Sequence, residues 1–91
     1  MKELIDLINQ FRDERDWRKF HNEKDLAISI SLEASELLEL FQWKQSEEVV
    51  EKSLQEIKEE LADVFMYALM LADNLNLDVE EIIKEKIDIN S

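Results

Sequence analysis

The stretch LQEIKEELADVFMYALMLA, residues 54–72, decides the fold. Its second half, Val64 to Ala72, is an unbroken apolar run that covers every face of a helix. Such a helix must be hidden on all sides, and a bundle made from a chain of 91 residues has little material to do so. A second protomer is the expected cover. The composition agrees, because the chain has no glycine and no proline. It lacks the usual residues for positive-φ turns and tight hairpins and suits long helices. The expected fold class is all-α, a four-helix bundle completed by oligomerisation as a homodimer or homotetramer.

Working outward, Leu4, Ile5, Ile8 and Phe11 recur at helical spacing and predict a first helix from about Lys2 to about Arg15. The polar HNEKD, His21 to Asp25, breaks the apolar period. It offers Asn22 and Asp25 as N-caps for a second helix reaching about Trp43. Ser46, ahead of Glu47 and Glu48, predicts the start of a third helical region ending near Asn74, with a break near Ser53. Asp78 and Glu81 stand at capping-box spacing and predict a last helix through about Lys86. No repeat, low-complexity segment or linker interrupts the chain, so residues 1–91 read as one domain.

Twenty-three acids against eleven Lys and Arg give a net charge of −12. That charge repels a nucleic-acid backbone, while a compact polyphosphate remains possible where divalent cations reverse the local sign. With no cysteine, disulfides and thiolate metal sites are excluded. The first twenty residues carry charges throughout, and no run approaches the roughly 18 apolar residues of a membrane span. A soluble, cytoplasmic protein without membrane partners is expected.

On a helical wheel Glu33 falls between Leu26 and Leu40, beside the arc of Ile30, Ala34, Leu37 and Phe41. Glu36 lies one turn along, away from the polar arc of Ser31, Ser35, Glu39 and Gln42. The 54–72 stretch repeats the pattern: Glu60 projects between Tyr67 and Leu71, and Asp63 sits beside Met70. Acid pairs at three-residue spacing are common on solvated faces, as at Glu47/Glu48/Glu51 and Glu80/Glu81/Glu85. For two pairs aimed into apolar arcs on different helices, a metal site stands as an open reading beside solvated decoration. Buried carboxylates need a cationic partner or a large pKa rise. Hard oxygen donors select Mg²⁺ or Mn²⁺, and Mg²⁺ completes its shell with phosphate oxygens. A di-iron bundle would need a Glu-x-x-His pair on each of two helices, and the sole histidine is His21.

SLEASELLELFQWK (Ser31–Lys44) followed by LQEIKEELADVFMY (Leu54–Tyr67) resembles the MazG-type all-α nucleoside triphosphate pyrophosphohydrolases, marked by E-x-x-E and a downstream E-x-x-D. FRDERDWRKFH (Phe11–His21), FQWK (Phe41–Lys44) and KIDIN (Lys86–Asn90) are similar to the dCTP pyrophosphatase branch. The resemblance implies a MazG-like bundle and cleavage of a (deoxy)nucleoside triphosphate to monophosphate and pyrophosphate. The expected substrate is dCTP or a modified dCTP, in a pool house-cleaning role. It implies Glu33, Glu36, Glu60 and Asp63 as magnesium ligands; one carboxylate must accept the proton of the attacking water, and Glu36 is the expected base. Trp17, Trp43, Tyr67, Lys86 and Asn90 match positions that reach the base, sugar or phosphates in relatives, and Lys44 follows Trp43. Trp17, Trp43 and Tyr67 can equally be packing residues, and His21 reads as a surface or capping residue.

Two departures qualify the resemblance. Relatives of this branch carry a basic stretch beyond the position of Ser91, so weaker substrate affinity, or cations from another protomer, is expected. Ile8 stands where some relatives have a histidine near the base, which weakens the expectation of strict cytosine selectivity. The competing readings are a dUTPase-like or phosphoribosyl-ATP-cleaving sibling, with the same carboxylates and a different pocket, and a non-catalytic helical dimerisation module.

Overall fold

The computed structural model describes all residues from Met1 to Ser91. The chain is helical throughout: α1 (Lys2–Glu14), a 3-10 turn (Arg18–Phe20), α2 (Glu23–Glu39), α3 (Ser46–Lys52), α4 (Leu54–Asn74) and α5 (Val79–Asn90). The all-α expectation holds. The helix count rises from four to five because the break expected near Ser53 separates α3 from α4.

Local chemistry sets the boundaries. Asn22 caps α2 by accepting the Asp25 N–H at 2.8 Å, and Asp78 caps α5 by accepting the Glu81 N–H at 3.0 Å. Ser46 does not act as a cap: it is the first helical residue of α3, after Gln45. α2 stops at Glu39 rather than Trp43, where turns take over, and α5 continues beyond Lys86 to Asn90. Without glycine, Asp16 (φ 55°) and Asn76 (φ 56°) supply the left-handed residues that end α1 and α4. Each closes a Schellman motif. Trp17 N–H reaches the Arg12 carbonyl and Leu77 N–H the Ala72 carbonyl, both at 2.9 Å.

α2 and α4 share the most extensive packing, and α1 lies against α4. Leu26, early in α2, meets Leu69 and Met70, late in α4, and with Ile8 of α1 they form the core. Glu33 and Glu36, later in α2, meet Glu60, early in α4, so the two helices run antiparallel. Met66, Tyr67, Leu71 and Val79 pack around that core.

The core is small: only 7 of 91 residues are buried. The accessible surface is 7068 Å², against about 5,600 Å² for a compact monomer of this mass. The radius of gyration is 15.2 Å, against about 12 Å for a compact domain of this length. The apolar run is covered on one side only. Leu69, Met70 and Ala72 are buried, while Phe65 is 59% exposed. Every residue of α5 except Val79 is exposed. The largest cavity, about 490 Å³, is an all-apolar groove formed by α1, α4 and α5, with Leu4, Phe65 and Ile83 among its walls. No helix is long and apolar enough to cross a membrane.

Candidate active site

The antiparallel pairing of α2 and α4 turns two separate acid pairs into one cluster. A carboxylate oxygen from each of Glu33, Glu36 and Glu60 lies within 4.8 Å of the others. Glu33 and Glu60 are partly buried, and each has Oε2 sealed from solvent with no hydrogen-bond donor. Glu36 is the exposed member, contrary to its expected retreat from the wet face. Asp63 stands one turn along α4 from Glu60, outside the 4.8 Å group but close enough for its charge to act on Glu33 and Glu60.

Such crowding raises proton affinity. Burial, then the competing carboxylate of Glu36 and the charge of Asp63, push the Glu33 carboxyl up to about 7. Burial and Glu36 move Glu60 in the same direction. The arrangement fits a divalent cation. Its donors are all hard oxygens, and two of them are buried without a hydrogen-bond partner, which suits ligation of a divalent cation.

Beside the acids lies a cavity of about 110 Å³ lined by Phe11, Trp17, Asp63, Met66, Tyr67 and Met70. Asp63 thus lines the aromatic pocket while its charge acts on the neighbouring carboxylate group. An edge-to-face series walls this end of the molecule: Phe11 to Trp17 at 5.2 Å, Trp17 to His21 at 5.8 Å and His21 to Tyr67 at 6.4 Å between centroids. Burial, then Glu33 and Asp63, raise the Tyr67 phenol, which therefore keeps its proton and remains a donor.

Of the residues expected at the substrate, Trp17 and Tyr67 stand at this pocket. Trp43, Lys86 and Asn90 do not. Trp43 occupies the turn after α2 at φ 65° and is 95% exposed. Lys86 and Asn90 lie on the exposed α5, and Lys44 is exposed beside Trp43. Within one chain none of them bonds to the carboxylates or lines a cavity. Ile8, at the position of a histidine in some relatives, belongs to the core and not to the pocket.

The E-x-x-E of α2 and the E-x-x-D of α4 therefore converge in space as well as in sequence. Residues 28–91, which carry both motifs, match the MazG-like family. The chain belongs to the MazG-like family. Its relatives include dCTP pyrophosphatase 1 from Rattus norvegicus and from Homo sapiens, each 34% identical over 95 residues and covering 99% of the chain. The chain spans 56% of the length of these curated relatives. A pyrophosphatase crystal structure from Archaeoglobus fulgidus is 46% identical and superposes with a TM-score of 0.95, over 99% of this chain and 87% of the other. The resemblance read from the sequence is borne out.

This MazG-like chain holds three further polar residues that sequence reasoning missed. His21 is partly buried between Trp17 and Tyr67, and its Nδ1 is buried without a partner. Arg12 has no exposed surface, and Asn74 bonds both to Arg12 and to the carbonyl of His21. One signal was present for Arg12: it falls one turn after Ile8, on the apolar stripe of α1.

Proposed function

We propose that this chain is a magnesium-dependent nucleoside triphosphate pyrophosphohydrolase acting on dCTP or a modified dCTP, in a house-cleaning role in the cytoplasm. The observation that carries the reading is the oxygen cluster of Glu33, Glu36 and Glu60, with Asp63 joining it to an aromatic pocket. The two halves meet the two ends of a nucleotide. The carboxylates suit a metal-bound triphosphate, and the flat faces of Trp17 and Tyr67 suit a base.

Glu33, Glu36, Glu60 and Asp63 would hold Mg²⁺, which when bound offsets phosphate charge and acidifies a water molecule. Glu36 is the member open to solvent. It accepts a proton from the attacking water, whose oxygen bonds to the α-phosphorus as the bond to the bridging oxygen breaks. The products are the monophosphate and pyrophosphate. Tyr67, held protonated, donates toward the sugar or the α-phosphate.

The surface supports a homo-oligomer. The excess over a compact monomer is about 1,500 Å² per chain, more than the roughly 800 Å² each partner gives to a standard-size interface and in the range of the larger obligate ones. In such an assembly Trp43, Lys86 and Asn90 are the residues a partner copy would bring to the nucleotide, with Lys86 supplying a cation for the phosphates.

The test is pyrophosphate release from a panel of dNTPs, NTPs and 5-methyl-dCTP with Mg²⁺, with EDTA and Glu36→Gln as controls. Release favouring cytosine nucleotides and lost in both controls is expected, with solvent ¹⁸O appearing in the monophosphate. Preference for dUTP or phosphoribosyl-ATP would keep the mechanism and move the specificity. No release from any nucleotide would leave a helical assembly module.

A further inference from the structure

The segment that carries Trp17 and His21 is poorly held by apolar packing. Phe20 is exposed, Asp16 adopts a left-handed conformation, and no residue from Asp13 to Asp25 is buried. Something else must fix Trp17, a wall of the aromatic pocket, and the His21 ring that packs between it and Tyr67. The polar groups beneath them form a continuous chain. Asn9 Nδ2 donates to Asp73 at 3.0 Å, and Arg12 Nη1 donates to Asn9 Oδ1 at 3.2 Å. Arg12 Nη2 donates to Asn74 Oδ1 at 3.1 Å, and Asn74 Nδ2 donates to the His21 carbonyl at 2.8 Å. The amide of Asn74 therefore faces Arg12 with its oxygen and His21 with its nitrogen.

Arg12 is an expensive choice for that place. A guanidinium removed from water calls for a carboxylate partner, yet its direct hydrogen bonds go to two neutral amides. A buried charge that gains so little from pairing is more informative about geometry than about stability. Its planar fork holds Asn9 on α1 and Asn74 on α4 at once, which lysine's single ammonium would not reproduce. Burial, then the nearby charge of Arg12, also hold the His21 imidazole below its usual protonation range. The ring thus stacks as a neutral aromatic between Trp17 and Tyr67.

We infer that Arg12 and Asn74 are positioning residues for base binding: through the His21 carbonyl they hold Trp17 and His21 against Tyr67. The inference rests on the proposed role of this pocket in nucleotide recognition. Neither residue touches the carboxylates, so the pair governs how well the base is gripped and leaves the hydrolytic step alone.

Asn74→Asp separates the two bonds, because it keeps an acceptor for Arg12 and deletes the donor to His21. Arg12→Gln weakens the chain from the other side. Both variants are expected to raise KM for the preferred nucleotide about tenfold, the worth of one aromatic contact, with kcat little changed. A second readout needs no turnover. In a Trp43→Phe background, acrylamide quenching of Trp17 is expected to increase when Asn74→Asp is added. Unchanged KM and unchanged quenching in folded variants would overturn the inference, as would a loss of kcat at constant KM or failure of both variants to fold. If the wild-type chain hydrolyses no nucleotide, the proposed function fails, and the quenching result still decides whether Asn74 holds Trp17.

Discussion

Glu33 on α2 and Glu60 on α4 each turn an oxygen away from solvent toward a shared space where no donor meets it. Two anions held in this way bind protons more tightly folded than unfolded, and the Glu33 carboxyl is pushed up to about 7 from an ordinary 4.5. The stability this contributes is full below about pH 4.5 and is lost as pH rises through about 7. In EDTA, Tm should therefore fall between about pH 5 and pH 8. If Mg²⁺ binds the deprotonated cluster, as proposed, the Tm gain on adding it should widen with pH over the same range. Thermal melts in both conditions check this, and parallel curves would contradict it.

Glu60→Gln replaces one of the crowded anions with a neutral side chain of the same shape. Above neutral pH the metal-free variant should melt at a higher temperature than the wild type, while its gain on adding Mg²⁺ shrinks or disappears. A gain in stability coupled to a loss of metal response is the mark of a site strained for function. Melting with EDTA and with Mg²⁺ reads both quantities.

Glu36→Gln would remove the proposed base and one of the proposed metal-ligating oxygens together. Pyrophosphate release should drop by at least about a hundredfold at saturating nucleotide, the usual contribution of a general base. Far-UV circular dichroism should be unchanged, because Glu36 is exposed.

The core is so small that single positions weigh heavily. Leu26, fully buried where α1, α2 and α4 meet, should cost about 2–5 kcal/mol when changed to alanine. Asn22→Ala, which removes the α2 cap, should cost about 1 kcal/mol. Urea unfolding at fixed protein concentration measures both and should rank them in that order.

Phe65→Lys places a charge on the uncovered side of α4 without touching the carboxylates. If a second copy covers that face, light scattering should show a shift toward monomer, and Tm should lose its dependence on protein concentration. A wild-type chain that is monomeric at every concentration would exclude the assembly.

Much of this was legible from residue types and periods. The all-α class followed from the absence of glycine and proline and from the Val64–Ala72 run. The carboxylates of Glu33, Glu36 and Glu60 converge because both acid pairs sit on stripes that face each other once α2 and α4 pack antiparallel. Trp43 was harder to place. The apolar period of α2 predicts that it continues the helix, but the helix frays into turns after Glu39 and the tryptophan swings into water. Arg12 and Asn74 were invisible for a different reason. Their roles come from one amide bonding two helical segments distant in sequence, and no local pattern encodes such a contact. His21 read as polar and exposed because its burial depends on that same contact.

All four acids lie on the α2–α4 pair, whereas Trp17 and His21 belong to the connection between α1 and α2. The carboxylates that would carry hydrolysis and the walls that would read the base thus lie on different stretches of chain, joined mainly through Asn74 and Asp63. Substitutions in the connecting stretch can retune which base is accepted while the helices that would hold the metal stay untouched. If the proposed activity holds, a lineage built on this plan can move from one nucleotide to another in small steps, each passing through a working enzyme.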